Sequence, residues 1–292
     1  MATLAERAMT ITLNISAWSG RKLDRKVSRE VNEQHGAAAD ASRTTKRLLA
    51  KTALAAIKGI DNQARAYFYS VTSPWLNNGP RVISNLNYPE AARKLQAFRQ
   101  DREREVEAFV AAYPALIEEA RAAELGDLFD EADYPSPEDI DKRFEFRVNI
   151  LPLPDAADFR CDLADGQIAD IKEAIKAASA AALEAAMRDT WQRVYDVTEA
   201  MRERLPAYTP GTDGIKATGT FHDTLVTNIR SLVDVLPGLN LANDPALSAM
   251  VDRLRDELTG YDAQTLRDDA DIRQDTAAAA EAILAHVSDY LA

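Results

Sequence analysis

From Asp165 to Leu205 the chain has no proline, and Gly166 is its only glycine. Along that stretch Ile168, Ile171, Ile175, Ala178, Ala182, Ala185, Val194, Val197, Met201 and Leu205 recur mostly at three- and four-residue steps. That rhythm gathers them on one stripe of an α-helix. Some 40 helical residues span about 60 Å, more than a compact domain of this size requires. A helix this long with one apolar stripe needs another helix against it, and the expectation is an antiparallel helical arm. The alanines between Ala177 and Ala186 would let the partner approach closely.

A second pattern limits how much of the chain is helix. Met9, Ile11, Leu13, Ile15 and Ala17 alternate with polar residues up to Trp18, and Phe144, Phe146, Val148 and Ile150 alternate with Glu145, Arg147 and Asn149. A period of two marks strands with one buried face. An isolated strand is not stable, so these two are expected to pair, with Arg81–Ser84 at the edge. With only 11 glycines and 12 prolines, long regular elements are favoured over a turn-rich β architecture. The expected fold class is mainly α (α+β): a long antiparallel helical arm plus a small β-sheet formed by residues near 9–18 and 144–151.

Shorter helices fill the rest. Leu23, Val27 and Val31 imply a helix over Arg21–His35, and good helix formers imply another over Ala37–Lys58 with Gly59 as its stop. Asp61–Val71 and a long segment from Pro89, kinked or restarted at Pro114, follow. In the C-terminal part, Phe221–Leu236 ends at Pro237-Gly238, Asp244-Pro245 opens a helix through Leu258, and Asp262–Leu291 forms the last one. The division expected is a basic N-terminal α+β region over 1–160 and an acidic helical region over 161–292 containing the helix 165–205.

Charge follows that division. Residues 1–106 carry 18 Lys+Arg against 10 Asp+Glu, a net of +8, and residues 107–292 carry 17 against 37, a net of −20. Such asymmetry suggests nucleic-acid contact at one end, or electrostatic docking on another protein. Phosphate-loop, dinucleotide-binding and nucleophile-elbow motifs are absent. Asp130-Glu131-Ala132-Asp133 matches a helicase motif by letters only and reads as an acidic loop. His35, His222 and His286 are isolated, and Asp268, Asp269 and Asp271 would fan around a helical turn rather than converge on a cation. No metal, no cofactor and no catalytic residue are therefore expected. The single cysteine, Cys161, reads as a small buried residue in a reducing cytoplasm. No apolar run approaches the roughly 20 residues that span a bilayer, and the N-terminus lacks a secretion signal, so a cytoplasmic protein without membrane contact is expected.

One constellation carries a functional expectation. Arg21, Lys22, Arg25, Lys26 and Arg29 follow Trp18, and Arg43, Lys46, Arg47 and Lys51 lie on the next expected helix. Tyr67, Tyr69 and Trp75 and the strand at Arg81 come soon after. Cations that neutralise phosphates beside aromatic faces that stack bases are what single-strand binding needs. Here Arg21, Lys22, Arg25, Lys26, Lys46 and Arg47 would hold phosphates, with Trp18, Tyr67 and Tyr69 stacking. The competing reading is a basic face paired with the chain's own acidic residues, its aromatics in the core.

Three segments carry a resemblance. Leu13-Asn14-Ile15-Ser16-Ala17-Trp18-Ser19-Gly20-Arg21-Lys22-Leu23 resembles the opening of an uncharacterised family of tailed-phage and prophage proteins. The segment 146–171, with Pro152-Leu153-Pro154 and Asp158-Phe159-Arg160, is similar to that family's middle strand running into its long helix. Leu239-Asn240-Leu241 with Asp244-Pro245-Ala246-Leu247 is similar to its C-terminal part. The resemblance implies a phage-encoded accessory protein, of a kind often encoded near MoxR-type AAA+ ATPases, and it transfers no catalytic residue. The function expected is a non-enzymatic binding and assembly protein that contacts single-stranded nucleic acid and joins copies of itself as a homo-oligomer. The alternative is an acidic adaptor or anti-defence protein that binds another phage or host protein, such as an AAA+ ATPase.

Overall fold

The computed structural model describes residues 3–76, 79–154, 156, 165–211 and 216–291. Cys161, read above as a small buried residue, and the motif Asp158-Phe159-Arg160 lie outside them. The architecture is mainly α with a small antiparallel sheet. In chain order come α1 (Leu4–Arg7), β1 (Ala8–Ser16), β2 (Arg21–Asp24), α2 (Arg25–Gln34), β3 (Thr44–Arg47) and α3 (Ala55–Val71). Then follow β4 (Ser73–Pro74), β5 (Arg81–Ser84), α4 (Tyr88–Glu119), β6 (Glu145–Pro152) and α5 (Asp165–Ala207). The chain closes with α6 (Thr224–Leu239), α7 (Pro245–Leu258), α8 (Ala263–Asp268) and α9 (Ala270–Ser288). Among the described residues, no helix is long and apolar enough to cross a membrane.

The larger sheet has the order β4-β5-β1-β6, so the two strands legible as alternating runs are neighbours. Arg81–Ser84 sits inside this sheet rather than at its edge, because Ser73–Pro74 pairs along its other side. A second sheet holds only β2 and β3.

The chain forms two compact units that interleave in sequence. One comprises Met1–Thr12, Phe68–Ala91 and Asn149–Ala292. Its main core joins Trp191, Val194, Met201 and Leu205 of α5 to Ile229, Leu236, Leu247, Leu254, Ile283 and Val287. Each such side chain contributes about 1.5–3 kcal/mol by leaving water. The helical partner of α5 is α9, and the two run antiparallel. Trp191, midway along α5, stacks at 4.2 Å on Tyr290 just beyond the end of α9, while Tyr208, after α5, lies 5.4 Å from the guanidinium of Arg273 at the start of α9. Ala277 and Ala280 supply the small surface that lets the helices close.

Two expected boundaries differ for local reasons. The helix expected over Asp262–Leu291 is two helices, because Asp269 leaves helical geometry (φ −108°, ψ 114°) and its carboxylate accepts the amides of Asp271 and Ile272. Pro237-Gly238 does not break α6. There the side-chain amide of Asn87 donates to the carbonyl of Val235 at 3.0 Å, and only a glycine at 238 leaves room for it.

The other unit comprises Leu13–Tyr67 and Ala92–Val148. Its core is Leu48, Leu49, Leu54, Ile57, Phe109, Tyr113, Tyr134 and Ile140. Arg102 of α4 is 3% exposed and donates to Asp61 of α3 at 2.6 Å and to the carbonyl of Ser16 at 2.6 Å. That buried pair ties two helices to the end of β1. Gly59 lies inside α3, and the helix expected over Ala37–Lys58 is not formed, since Thr44–Arg47 is a strand.

Candidate nucleic-acid interface

The basic residues singled out from sequence converge on the β2–α2–β3 ribbon, although not on two helices. Arg21 and Lys22 lie on β2, Arg25 and Lys26 on α2, and Lys46 and Arg47 on β3. Asp24 closes β2 and caps α2 by accepting the amide of Val27 at 3.0 Å. Ser28 of α2 accepts the amide of Thr44, and Asn32 donates to the carbonyls of Ala39 and Ser42, so hydrogen bonds rather than apolar packing seat the helix on the strand.

The strands pair antiparallel with Arg21 opposite Arg47 and Lys22 opposite Lys46. Like charges directly opposite destabilise a pair unless an anion intervenes. Asp133 is that anion for the lysines: its carboxylate lies 2.5 Å from the Lys22 ammonium and forms an ion pair with Lys46. Lys46 also lies 3.6 Å from Asp24 and donates to the carbonyl of Leu128 at 2.7 Å. Burial alone would raise the Asp133 carboxyl, but hydrogen bonds and charge from Lys22 and Lys46 outweigh it and hold the group below its ordinary value. Burial works against the Lys46 charge, yet Asp133, Asp24 and Asp130 hold that ammonium above its ordinary value. Both groups are pushed away from neutrality, so neither is poised to exchange a proton near pH 7.

Strand alternation then sorts the cations. Lys22, Asp24, Thr44 and Lys46 share one face of the ribbon, and Lys22, Leu23, Asp24, Arg25 and Lys46 border, with Asp130 and Asp133, a polar cavity of about 460 Å³. Arg21, Leu23, Thr45 and Arg47 share the opposite face, and all four are exposed. Arg25, Lys26 and Arg29 of α2 are exposed as well. The contact of Lys26 with Glu30 is 4.0 Å between two solvated side chains and contributes little.

Two of the three aromatics are taken up in packing. Trp18 is half-buried and packs against the core, its ring edge-on to Tyr113 at 5.7 Å and 6.4 Å from Phe109. Tyr67 is half-buried, 6.1 Å from Phe98 and 4.9 Å from the Lys94 ammonium, and burial pushes its phenol up. Tyr69 is 53% exposed with the Arg81 guanidinium 4.9 Å from its ring, but it belongs to the other compact unit. Asp133 is the contributor that sequence reasoning set aside. The signal was present in the acidic run Asp130-Glu131-Ala132-Asp133, but the pairing of Lys22 with Lys46 that requires a counter-charge was not visible. Among the described residues, no cluster of three or more His, Cys, Asp or Glu could hold a metal ion.

The family model DUF3150, described as a protein of unknown function, matches residues 5–259, and the chain belongs to that family. No curated protein and no solved structure matches it.

Proposed function

We propose that this DUF3150 protein is a non-enzymatic binding protein whose β2–α2–β3 ribbon takes the phosphate backbone of single-stranded nucleic acid. The observation that carries the reading is the set of exposed cations Arg21, Arg25, Lys26 and Arg29 on one strand and the helix continuous with it. The Lys22–Asp133–Lys46 group supports the ribbon by bridging its two strands. With the Trp18 ring engaged by Phe109 and Tyr113, binding rests on phosphate contacts and is indifferent to sequence. The phage setting implied by the resemblance is part of this reading and rests on the quoted motifs alone. Four phosphate contacts would give a salt slope of about −3 on logarithmic axes for a single strand. Anisotropy of a labelled 20-nucleotide oligo(dT) between 20 and 300 mM NaCl tests this. The expected result is log-linear weakening with salt and a loss of tenfold or more in Arg21→Glu/Arg25→Glu/Arg29→Glu. No binding at 20 mM salt, or binding that ignores the triple variant, overturns it.

One observation favours a second reading. Leu23, 40% exposed between the arginines, offers an aliphatic contact that a phosphate backbone does not use. An adaptor that docks an acidic segment of another protein would use it, and Leu23→Ser would then weaken protein capture while leaving oligonucleotide binding unchanged.

A further inference from the structure

In the unit containing α5, a small apolar cluster (Ala8, Trp75, Val82, Leu153, Leu241) packs against Ala182 and Ala186 of that helix. One to three turns earlier the same stripe of α5 presents Lys172, Ile175, Lys176 and Ser179, and here the cluster stays open as a cavity of about 520 Å³. Its walls are largely apolar, with Leu4, Trp75, Leu153, Ala156 and Ile175 among them. That volume and lining fit a small-molecule site, which typically encloses about 300–1,000 Å³ with few polar groups.

The charge on the lining is one-sided. Lys172 and Lys176 stand one turn apart, and no carboxylate is among the described lining residues. Lys176 also lies 2.7 Å from Glu173, but both side chains are well solvated and the contact contributes little. Lys172 is half-buried and has no acidic partner within 4.0 Å among the described residues. An ammonium at the rim of an apolar cavity gives an anion with an apolar tail both a charge partner and a wall to cover that tail.

We infer that this cavity binds a medium-chain monocarboxylate, its alkyl chain against Trp75, Leu153 and Ile175 and its carboxylate at Lys172 and Lys176. The site is independent of the ribbon and of any nucleic acid. Titration calorimetry of the full chain with octanoate, hexanoate and 1-octanol tests it. Octanoate should bind saturably at one site, and hexanoate about tenfold more weakly, since each buried methylene is worth roughly a factor of four. Octanol, equal in length but uncharged, should bind at least tenfold more weakly than octanoate. Lys172→Gln/Lys176→Gln should remove that preference, and Ser179→Leu, which fills the cavity without changing charge, should abolish binding of all three. Circular dichroism establishes that both variants fold. Equal affinity for octanoate and octanol, octanoate binding unaltered by the lysine pair or by Ser179→Leu, or no saturable binding up to 5 mM octanoate overturns the assignment.

Discussion

Two lysines set opposite one another on paired strands repel, and Lys22 and Lys46 hold that register through the carboxylate of Asp133. Lys46 and Asp133 are almost fully buried, whereas Lys22 is 47% exposed, so solvent screens half of the arrangement. Asp133→Asn keeps the shape and removes the charge, leaving two ammonium groups to face each other. The expected cost is about 1–3 kcal/mol, below that of breaking a wholly buried pair because of that screening. The pH window follows from the two displaced groups. Asp133 is held below its ordinary value, so its contribution is complete above about pH 4 and is lost as pH falls through the folded-state value. Lys46 is held above its ordinary value, so its contribution is complete below about pH 10 and is lost as pH rises through the folded-state value. Urea midpoints of the parent and Asp133→Asn should therefore differ by a constant amount between about pH 5 and 9 and converge in acid. A difference that persists at pH 2 would show that the carboxylate's charge is not what holds the ribbon.

At the level of elements, α6 runs on through a local stop signal. Pro237-Gly238 reads as a helix end, yet the helix continues to Leu239 with Asn87 donating to the Val235 carbonyl. A Cβ on residue 238 would lie 2.2 Å from the Asn87 side chain, forcing that donor away. Gly238→Ala gains about 1 kcal/mol of helix propensity and loses a hydrogen bond of similar worth together with the strain of displacement. The net expectation is a loss of about 1–2 kcal/mol by thermal or urea unfolding. In an Asn87→Ala background the clash is gone, and Gly238→Ala should be neutral or stabilising; two additive substitutions would sink the explanation. The same distinction between local and distant causes separates what was legible in the sequence from what was not. The helix read over 165–205 is α5 at Asp165–Ala207, because an uninterrupted stripe is a local property. The strands near 9–18 and 144–151 were legible for the same reason. Thr44–Arg47 lies in an alanine- and lysine-rich stretch with helical preference, and becomes β3 only by pairing with Arg21–Asp24, some 20 residues away. Trp18 sits on the polar side of an alternating run, but the aromatic cluster of Phe109 and Tyr113 takes it inward. The basic half of the candidate interface could thus be read from composition, and its counter-ion and its missing aromatics could not.

For the whole molecule, folding redistributes the charge asymmetry of the chain. Residues 13–67 carry 11 Lys+Arg against 5 Asp+Glu, and residues 92–148 carry 9 against 15. The unit they build together has 20 of each, while the other unit has 15 against 27 and a net of −12. No basic half survives as a net charge, so the ribbon's attraction for a nucleic acid has to come from the local cluster at Arg21, Arg25, Lys26 and Arg29. Local attraction against a negative whole is felt only within a screening length, about 20 Å at 20 mM salt and about 6 Å at 300 mM. Self-association, if the ribbon of one copy seats on the acidic unit of the next, obeys the same limit and is heterologous, open to rings or filaments. Sedimentation velocity at 50 µM protein is then expected to show oligomers at 20 mM NaCl that dissociate by 300 mM. Arg21→Glu/Arg25→Glu/Arg29→Glu should be monomeric throughout. A parent protein that stays monomeric at 20 mM salt removes self-assembly from the account. Oligomers that resist 300 mM salt, or persist in the triple variant, would place the interface on apolar surface and not on the ribbon.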